Sequence, residues 1–330
     1  MKKLFISLVA AIVAATATFA QSSLVATLSH QGEVSVFHGA NSLRQAMEAA
    51  DHGDIITLAS GRYNAANIDK AITLRGAGVE EDTITGAFRT QIVGNFNINI
   101  ADTISEHLTI EGIYHESTIT FYGTLNNAML QKCRFATIEN SNFGNTVNSL
   151  TCIHCNIVTR IVLPQNSSAS FISCVVTSPS NQYGGTMEFT NCIIPNDIIY
   201  IRNAFFQNCI LNAYYTGFGS QRLSGTCMAT YCVGWSYGAS SPFENISKTT
   251  NTALSQEQVN ALFKPNTFYE LTDEAKSEYV GIDGMEIGIY GGNIPYDTRI
   301  LSPQITKCKV AAKTTADGKL SVDIEVKAAE

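Results

Sequence analysis

The chain has 330 residues, of which 45% are hydrophobic and only 15% are charged. This length and composition suffice for a large buried core and allow one or two domains. The formal net charge of −7 at pH 7 argues against a protein that binds nucleic acid or an anionic membrane surface, although it does not identify a partner.

Residues 1–20 have the pattern of a cleavable secretion signal. Two lysines precede an apolar run, and the small residues of "TATFA" provide a cleavage site before Gln21. The run is too short to span a bilayer stably, and no later run approaches ~20 apolar residues. No cysteine follows the cleavage site to carry a lipid. We therefore expect a secreted, periplasmic or cell-surface protein without a membrane span.

The stretch "NSLRQAMEAADHGD" predicts a short helix. Ser42 precedes the helix and Gly53 ends it. One face carries the apolar residues Leu43, Ala46, Met47 and Ala50. The open end of a stack of strands must be covered, so we expect this helix to cap the fold before the first coil begins at "DIITLASGRYN".

A short pattern, exemplified by "FTNCII" and "FQNCIL", recurs along the middle of the chain. Six copies align on a cysteine, and the same register extends backward to three glycines: Cys133, Cys155, Cys174, Cys192, Cys209 and Cys232, preceded by Gly76, Gly94 and Gly112. A spacing of about 19.5 residues is typical of a solenoid. Ile, Val, Thr, Phe and Asn dominate each copy, which favours strands. The expected fold class is all-β, a right-handed parallel β-helix.

The spacing within one copy predicts which side chains face the core. Cys192 and Ile194 are two residues apart and therefore share one face of a strand. Phe189 is three residues before Cys192, so it can also point inward only if the chain bends at Asn191, a residue type that tolerates such a corner. The cysteines would then form an inward column.

Nine cysteines in a secreted chain would ordinarily suggest disulfides. The column favours buried free thiols instead, because adjacent parallel strands place Cβ atoms side by side in poor disulfide geometry. If a bridge forms, Cys227 with Cys232, or Cys152 with a neighbouring coil, is the better candidate. Cys152-x-x-Cys155 stands alone, so we predict no metal site, and no cofactor motif is found.

Residues 244–282 interrupt the repeat. A Ser-x-x-Gln capping box predicts a helix from Ser255 to Lys264, and Thr272 to Tyr279 predicts another helical turn. The tail alternates apolar and polar residues on both sides of Asp317-Gly318, which predicts a β-hairpin that packs on the solenoid or on a protein partner. The chain thus divides into three predicted segments: a signal peptide over 1–20, a β-helix domain over 21–295 and a C-terminal β appendage over 296–330.

Two stretches carry a family resemblance. "SLRQAMEAADHGDIITLASGRYN" resembles the opening of secreted right-handed β-helix proteins of the pectin-lyase-like superfamily, and "FYELTDEAKSEYVGIDGMEIGIYGG" resembles their closing segment. The resemblance covers roughly residues 35 to 295, and the signal peptide and Gly-Gly ending are similar to those of Bacteroidetes members. It implies the fold but not an activity, because the superfamily includes lyases, hydrolases and adhesins.

One row of charged residues is a candidate catalytic site. The hydrolases of this fold need paired aspartates, and no Asp-Asp pair occurs in the chain. The position before each anchor holds Glu111, Lys132 and His154 on successive coils, with Arg134 and Asn156 two residues further on. Stacking would bring Glu111 beside Lys132 and Lys132 beside His154. Lys132 or Arg134 could then act as the base of a lyase, assisted by His154, or the row could be a surface ion pair.

Aromatic residues near the end of the repeat form a candidate ligand site. They are Tyr214, Tyr215, Phe218, Trp235 and Tyr237. Aromatic faces on loops suit sugar rings, and the alternative is that these side chains cover the C-terminal end of the core.

The expected function is non-catalytic binding of glycans or another surface component. The first alternative is a polysaccharide lyase that acts on an acidic polysaccharide. The second is a structural spacer or adhesin-like protein whose C-terminal hairpin docks to a protein partner. None of the three involves nucleic acid.

Overall fold

The computed structural model describes residues 24–81, 88–101, 103–140, 146–181, 184–196, 201, 203–213, 226–236, 243, 250–299, 304–310 and 322–327. The predicted signal peptide therefore lies outside the described residues. The chain forms a parallel β-solenoid of about eight turns, which confirms the predicted fold class. None of the helices in the described residues has the length and apolar character that a membrane span requires.

The strands are short. In chain order they are β1 (Val25–His30), β2 (Glu33–His38), β3 (Ile55–Leu58), β4 (Gly61–Asn64), β5 (Thr73–Arg75), β6 (Thr90–Val93), β7 (Phe96–Ile98), β8 (Thr109–Glu111), β9 (Tyr114–Phe121), β10 (Leu125–Gln131), β11 (Arg134–Asn140), β12 (Val147–Ile153), β13 (Asn156–Val162), β14 (Ser168–Ile172), β15 (Val175–Val176), β16 (Pro179–Ser180), β17 (Thr186–Thr190), β18 (Ile193–Ile194), β19 (Ala204–Gln207), β20 (Ile210–Ala213), β21 (Met228–Thr230), β22 (Val233–Ser236), β23 (Thr252–Ala253), β24 (Gln304–Val310) and β25 (Val322–Lys327).

Two long sheets form the walls of the solenoid. The first has eleven strands in the order β2-β1-β3-β5-β8-β10-β12-β14-β17-β19-β21. The second has twelve, in the order β23-β22-β20-β18-β15-β13-β11-β9-β6-β4, with β16 paired to β13 and β7 to β9. The pairs are parallel except at the start, where β1 lies antiparallel to both β2 and β3. Most coils thus contribute one strand to each sheet.

A sharp corner joins the two sheets in successive coils. The residue directly before the column cysteine has a positive φ in each of these coils, between 49° and 55°: Lys132, His154, Ser173, Asn191, Asn208 and Tyr231. The bend predicted at Asn191 is confirmed, and its φ is 52°. The corner reverses the alternation of side chains, so the aromatic residue before it and the cysteine after it both face the core.

The predicted inward column of cysteines is also confirmed. Each of the six thiols lies 3.1 to 3.4 Å from the carbonyl oxygen two residues earlier, to which it donates. Beside the column, the rings of Phe171, Phe189 and Phe206 stack with centroids 4.8 Å apart. Both stacks repeat at the spacing of adjacent strands, so the same two residue types fill the core in coil after coil.

Neither candidate disulfide forms. The eight cysteines whose side chains are described, which include Cys152, Cys227 and Cys232, are buried free thiols. Burial raises the pKa of the Cys192 thiol well above its ordinary value, so this sulfur stays neutral and packs as a small apolar group.

The backward extension of the repeat to glycine was wrong at all three glycines. Gly76 stacks on Gly112, since Arg75 pairs with Glu111 and Gly76 N donates to Glu111 O. Gly112 stacks on Lys132, not on Cys133, because Gly112 N donates to Gln131 O and Lys132 N donates to Ile153 O. The glycine occupies the positive-φ corner, a conformation that suits it, rather than the core position. Gly94 follows β6 in the other sheet. The coil between the paired residues Arg75 and Glu111 is therefore 36 residues long.

Three helices lie in the described residues. α1 (Ser42–Ala49) covers the N-terminal end of the core with Leu43, Ala46 and Met47, as predicted, although Asn41 rather than Ser42 is the capping position. α2 (Gln256–Ala261) begins with the predicted capping box, in which Ser255 and Gln258 exchange hydrogen bonds. α3 (Asp273–Glu278) follows the cap residue Thr272. Beyond them, β24 and β25 form a two-stranded antiparallel sheet on either side of Asp317-Gly318, which lie outside the described residues.

We expect the buried thiols to resist alkylation in the folded protein. In a Cys308→Ser variant, the eight remaining cysteines should stay unmodified by iodoacetamide under native conditions and react fully in guanidinium chloride. Intact mass before and after unfolding measures the number of labelled sulfurs. Rapid labelling of several sulfurs in the native state would contradict the inward column.

The aromatic stack should contribute strongly to stability. Phe189→Ala leaves a cavity between two neighbouring rings and is expected to lower the free energy of unfolding by about 3–5 kcal/mol. Phe205→Ala is the matched control, since Phe205 lies one residue from the stack on a partly exposed face, and it should cost less than about 1 kcal/mol. Urea unfolding followed by circular dichroism measures both, and equal losses would argue against the stack.

Candidate functional site

The end of the chain folds back along the row of corner residues. We call residues 281–299 the C-terminal strap. At one end Ile282 N donates to Asn208 Oδ1 at 3.0 Å, and at the other Lys132 Nζ lies 3.1 Å from Asp297 Oδ2. Between them Ser173 Oγ donates to the carbonyl oxygen of Ile294. The strap therefore runs against the direction in which the coils progress, from the coil of Asn208 back to that of Lys132.

Close backbone approach lets the strap lie flat on the corners. A Cβ atom on Gly281 would be 2.6 Å from Asn208 Cγ, which leaves no room for a side chain. Gly292 has a φ of 72°, and a Cβ there would be 2.8 Å from Asn191 Oδ1. The Gly-Gly ending noted in the sequence, Gly291-Gly292, thus lies against the Asn191 corner, and Gly281 lies against the Asn208 corner.

A second apolar cluster holds the segment that precedes the strap. On the outer face of the second sheet, one row of residues is apolar: Val175, Ile193, Ile210 and Val233. The C-terminal segment covers this row with Val259, Leu262, Leu271, Ala275, Ile287 and Ile289. The same outward row is polar in the preceding coils, where it carries Asn156, Arg134 and Tyr114. The apolar contacts of the C-terminal segment end where the outward row changes from apolar to polar residues, and a groove begins there.

That groove lies between the second sheet and the strap and has a volume of about 620 Å³. We call it the strap groove; its lining residues are Glu80, Arg134, Asn156, Phe268, Tyr290, Tyr296, Asp297, Thr298 and Arg299. Three aromatic rings on the C-terminal side face arginine and amide side chains. This mixture of apolar ring surface with a few polar groups is typical of ligand sites.

The aromatic rings of the groove support one another. The Phe268 and Tyr296 ring centroids are 5.2 Å apart, and Tyr290 OH donates to Phe268 O at 3.1 Å. The exposed fraction of Phe268 is 38%, so part of its ring is open to a ligand. Burial raises the pKa of Tyr296 well above its ordinary value, so its hydroxyl stays protonated and can donate a hydrogen bond.

Arg134 brings a positive charge to the groove. Its guanidinium lies over the Tyr114 ring at 5.4 Å, and among the described residues no carboxylate lies within ion-pair distance. Asp297, by contrast, is tightly held. Partial burial alone would raise the pKa of Asp297, but hydrogen bonds from Arg299 and Lys132 outweigh it and keep the pKa well below its usual value.

Lys132 and His154 stack on successive coils as predicted, but they lie beneath the strap. The Lys132 ammonium donates to Asp297, and the His154 ring is 6% exposed, with Nε2 3.3 Å from Ile294 O. The Tyr296 ring packs edge-on against His154 at 6.1 Å. Burial lowers the pKa of His154, and the charge of Lys132 adds to this effect.

Glu111 does not join this row. The expectation that it stacks beside Lys132 was wrong, because Glu111 pairs with Gln131 in the neighbouring strand. Its carboxylate forms an ion pair with Arg75 at 3.0 Å on the first sheet. The one-residue slip follows from aligning Gly112 with the cysteines instead of with the corner.

The aromatic candidate site is described only at Trp235. This side chain is half-buried and packs against the second apolar cluster, near Val233 in β22. Tyr214, Tyr215, Phe218 and Tyr237 lie outside the described residues. Trp235 therefore covers part of the second apolar cluster, and the expectation for the other four residues stays a prediction.

Sequence reasoning missed the residues that the strap contributes. Asp297 is 165 residues from its partner Lys132, so no local pattern connects them. The available signal was the high density of aromatic residues between positions 263 and 296. Only Arg134 and Asn156 of the strap groove were singled out from the repeat.

Comparisons of the chain with models of protein families, with curated proteins and with solved structures found no match.

We expect acid to weaken the attachment of the strap. The pKa of His154 is lower in the folded state than in the unfolded chain, where it is about 6.5. The stability that neutral His154 contributes is therefore present above about pH 6.5 and is lost as the pH falls below that value. For Asp297, whose pKa is also lowered, the loss of stability begins only below about pH 3.9. His154→Asn should therefore flatten the fall in the free energy of unfolding between pH 7 and 5, since Asn tolerates the corner conformation.

The measurement is urea unfolding followed by the fluorescence of Trp235, the only tryptophan. Asp297→Asn is the matched comparison, since it should not flatten the curve between pH 7 and 5 but should flatten it in stronger acid. An unaltered slope in His154→Asn would show that other histidines cause the acid sensitivity.

Proposed function

We propose that the protein is a secreted or cell-surface β-helix that binds glycans without catalysis, and that the strap groove is the binding site. One observation carries the proposal: partly open aromatic rings face an amide and an arginine across a groove of about 620 Å³, and this arginine has no ion pair with any described residue. Aromatic faces pack on the C–H surface of sugar rings, while the amide of Asn156 and the guanidinium of Arg134 can bond hydroxyls or a carboxylate.

The lyase alternative has less support. A lyase needs an amine that can accept a proton from a bound substrate. Lys132 instead donates to Asp297, and His154 lies under the strap with a backbone carbonyl at its Nε2. Arg134 faces the groove, where its guanidinium packs over the Tyr114 ring.

The proposal is tested first with a glycan array and then by titration of the best ligand. Phe268→Ala and Arg134→Ala should each weaken binding at least tenfold, a loss of about 1.4 kcal/mol, because each removes a face or a charge of the groove. Arg160→Ala is the matched control: Arg160 is an exposed arginine on β13, paired with Glu139 outside the groove, and its loss should leave the Kd unchanged.

Two outcomes would contradict the proposal. Binding that survives both groove variants would place the glycan elsewhere on the molecule. Formation of unsaturated sugar products from uronate polymers, detected by ultraviolet absorbance and lost in Lys132→Ala, would favour the lyase.

A further inference from the structure

A second groove lies at the N-terminal end of the solenoid. It has a volume of about 480 Å³ and is bounded by α1, by the bend after β4 and by the bend between β6 and β7. We call it the asparagine groove; its lining residues are Arg44, Asn64, Ala65, Ala66, Asn67, Val93, Gly94, Asn95 and Asn97. It shares no lining residue with the strap groove, so a ligand here would bind independently of the proposed glycan.

The amides of this groove are oriented by one another. Asn64 Nδ2 donates to Asn41 Oδ1 at 2.7 Å, and Asn97 Nδ2 donates to Asn67 Oδ1 at 3.4 Å. Each bond uses one donor and one acceptor. The carbonyl oxygens of Asn64 and Asn97 and the amide nitrogen of Asn67 keep capacity for further hydrogen bonds. Fixed donors and acceptors side by side match the paired hydroxyls of a polyol.

The floor of the groove is apolar and open. Ala65, Ala66 and Val93 supply small aliphatic surface. Gly94 adopts a φ of 103°, which a residue with a side chain rarely takes, and a Cβ there would contact Ala65 Cβ at 3.7 Å. A glycine at this bend therefore keeps the groove free of a side chain.

The groove carries one cation that is not neutralised. Among the described arginines, four form ion pairs: Arg75, Arg89, Arg160 and Arg299. Within the described part of the chain, Arg44 has no carboxylate within 4.0 Å. An unpaired guanidinium on a chain of net charge −7 is a local site for an anion, and its planar fork suits carboxylate or phosphate oxygens.

We propose that the asparagine groove binds a polyol that carries one oxyanion group, either a sugar acid or a sugar phosphate. Arg44 bonds the oxyanion through its fork, and the amides of Asn64, Asn67 and Asn97 bond the hydroxyls. The carbon skeleton lies on the floor formed by Ala65 and Val93. This site is separate from the strap groove and does not depend on glycan binding there.

Isothermal titration of the full protein with glucuronate, glucose 6-phosphate, glucose and inorganic phosphate tests the proposal. We expect at least one of the two sugar anions to bind tenfold or more tightly than glucose and than inorganic phosphate, since it alone satisfies both the guanidinium and the amides. The tighter of the two sugar anions identifies the oxyanion as carboxylate or phosphate. Equal affinity for glucose and both sugar anions, or no binding of any probe, would overturn the proposal.

Variants locate the site. Arg44→Gln should remove the preference for the anions over glucose, and Asn97→Asp should weaken anion binding at least tenfold by placing a like charge beside the ligand. Arg62→Gln is the matched control, because Arg62 is an exposed arginine of β4 that does not line the groove. Anion binding that is unchanged in Arg44→Gln would refute the assignment.

The two proposals fail separately. Arg134→Ala, which removes the charge of the strap groove, should leave the titration with sugar anions unchanged. If Arg134→Ala abolishes binding of the sugar anions and Arg44→Gln does not, the ligand binds in the strap groove and the asparagine groove is not its site.

Discussion

The positive-φ corner before each column cysteine is the constraint on which the rest of the structure depends. A strand that ran straight would send the aromatic residue and the cysteine to opposite faces, and one of the two stacks would be lost. The corner places both in the core at the spacing of adjacent strands, so the Phe189 ring and the Cys192 thiol each meet a copy of themselves in the next coil. Continuous stacking then fills the interior of the solenoid.

The corners also determine where the C-terminal segment can lie. Their polar side chains project outward, and the strap satisfies them with backbone groups, as at Asn208 with Ile282 N and Ser173 with Ile294 O. The apolar row on the outside of the second sheet holds the segment before it. Where that row becomes polar at Asn156 and Arg134, no apolar surface remains to be covered, and the strap groove is the result.

Much of the fold could be predicted because it repeats. The cysteine column, the bend at Asn191, the helical cap and the Ser255 capping box all follow from patterns within about twenty residues. The repeat was misaligned at Gly76, Gly94 and Gly112, where the cysteine is missing and glycine could mark either a core position or a corner. The candidate sites were harder, because a row of outward residues looks the same in the sequence whether it is open or covered.

The solenoid can be predicted from the residues alone, since local residue types and a regular period suffice to place inward and outward positions. Tertiary structure decided which outward positions are accessible. Lys132 and His154 became strap contacts and Arg134 became a groove residue through a segment more than a hundred positions later in the chain. The physical reason is that burial of an outward row depends on long-range packing of another segment, which has no period and leaves no pattern within the repeat.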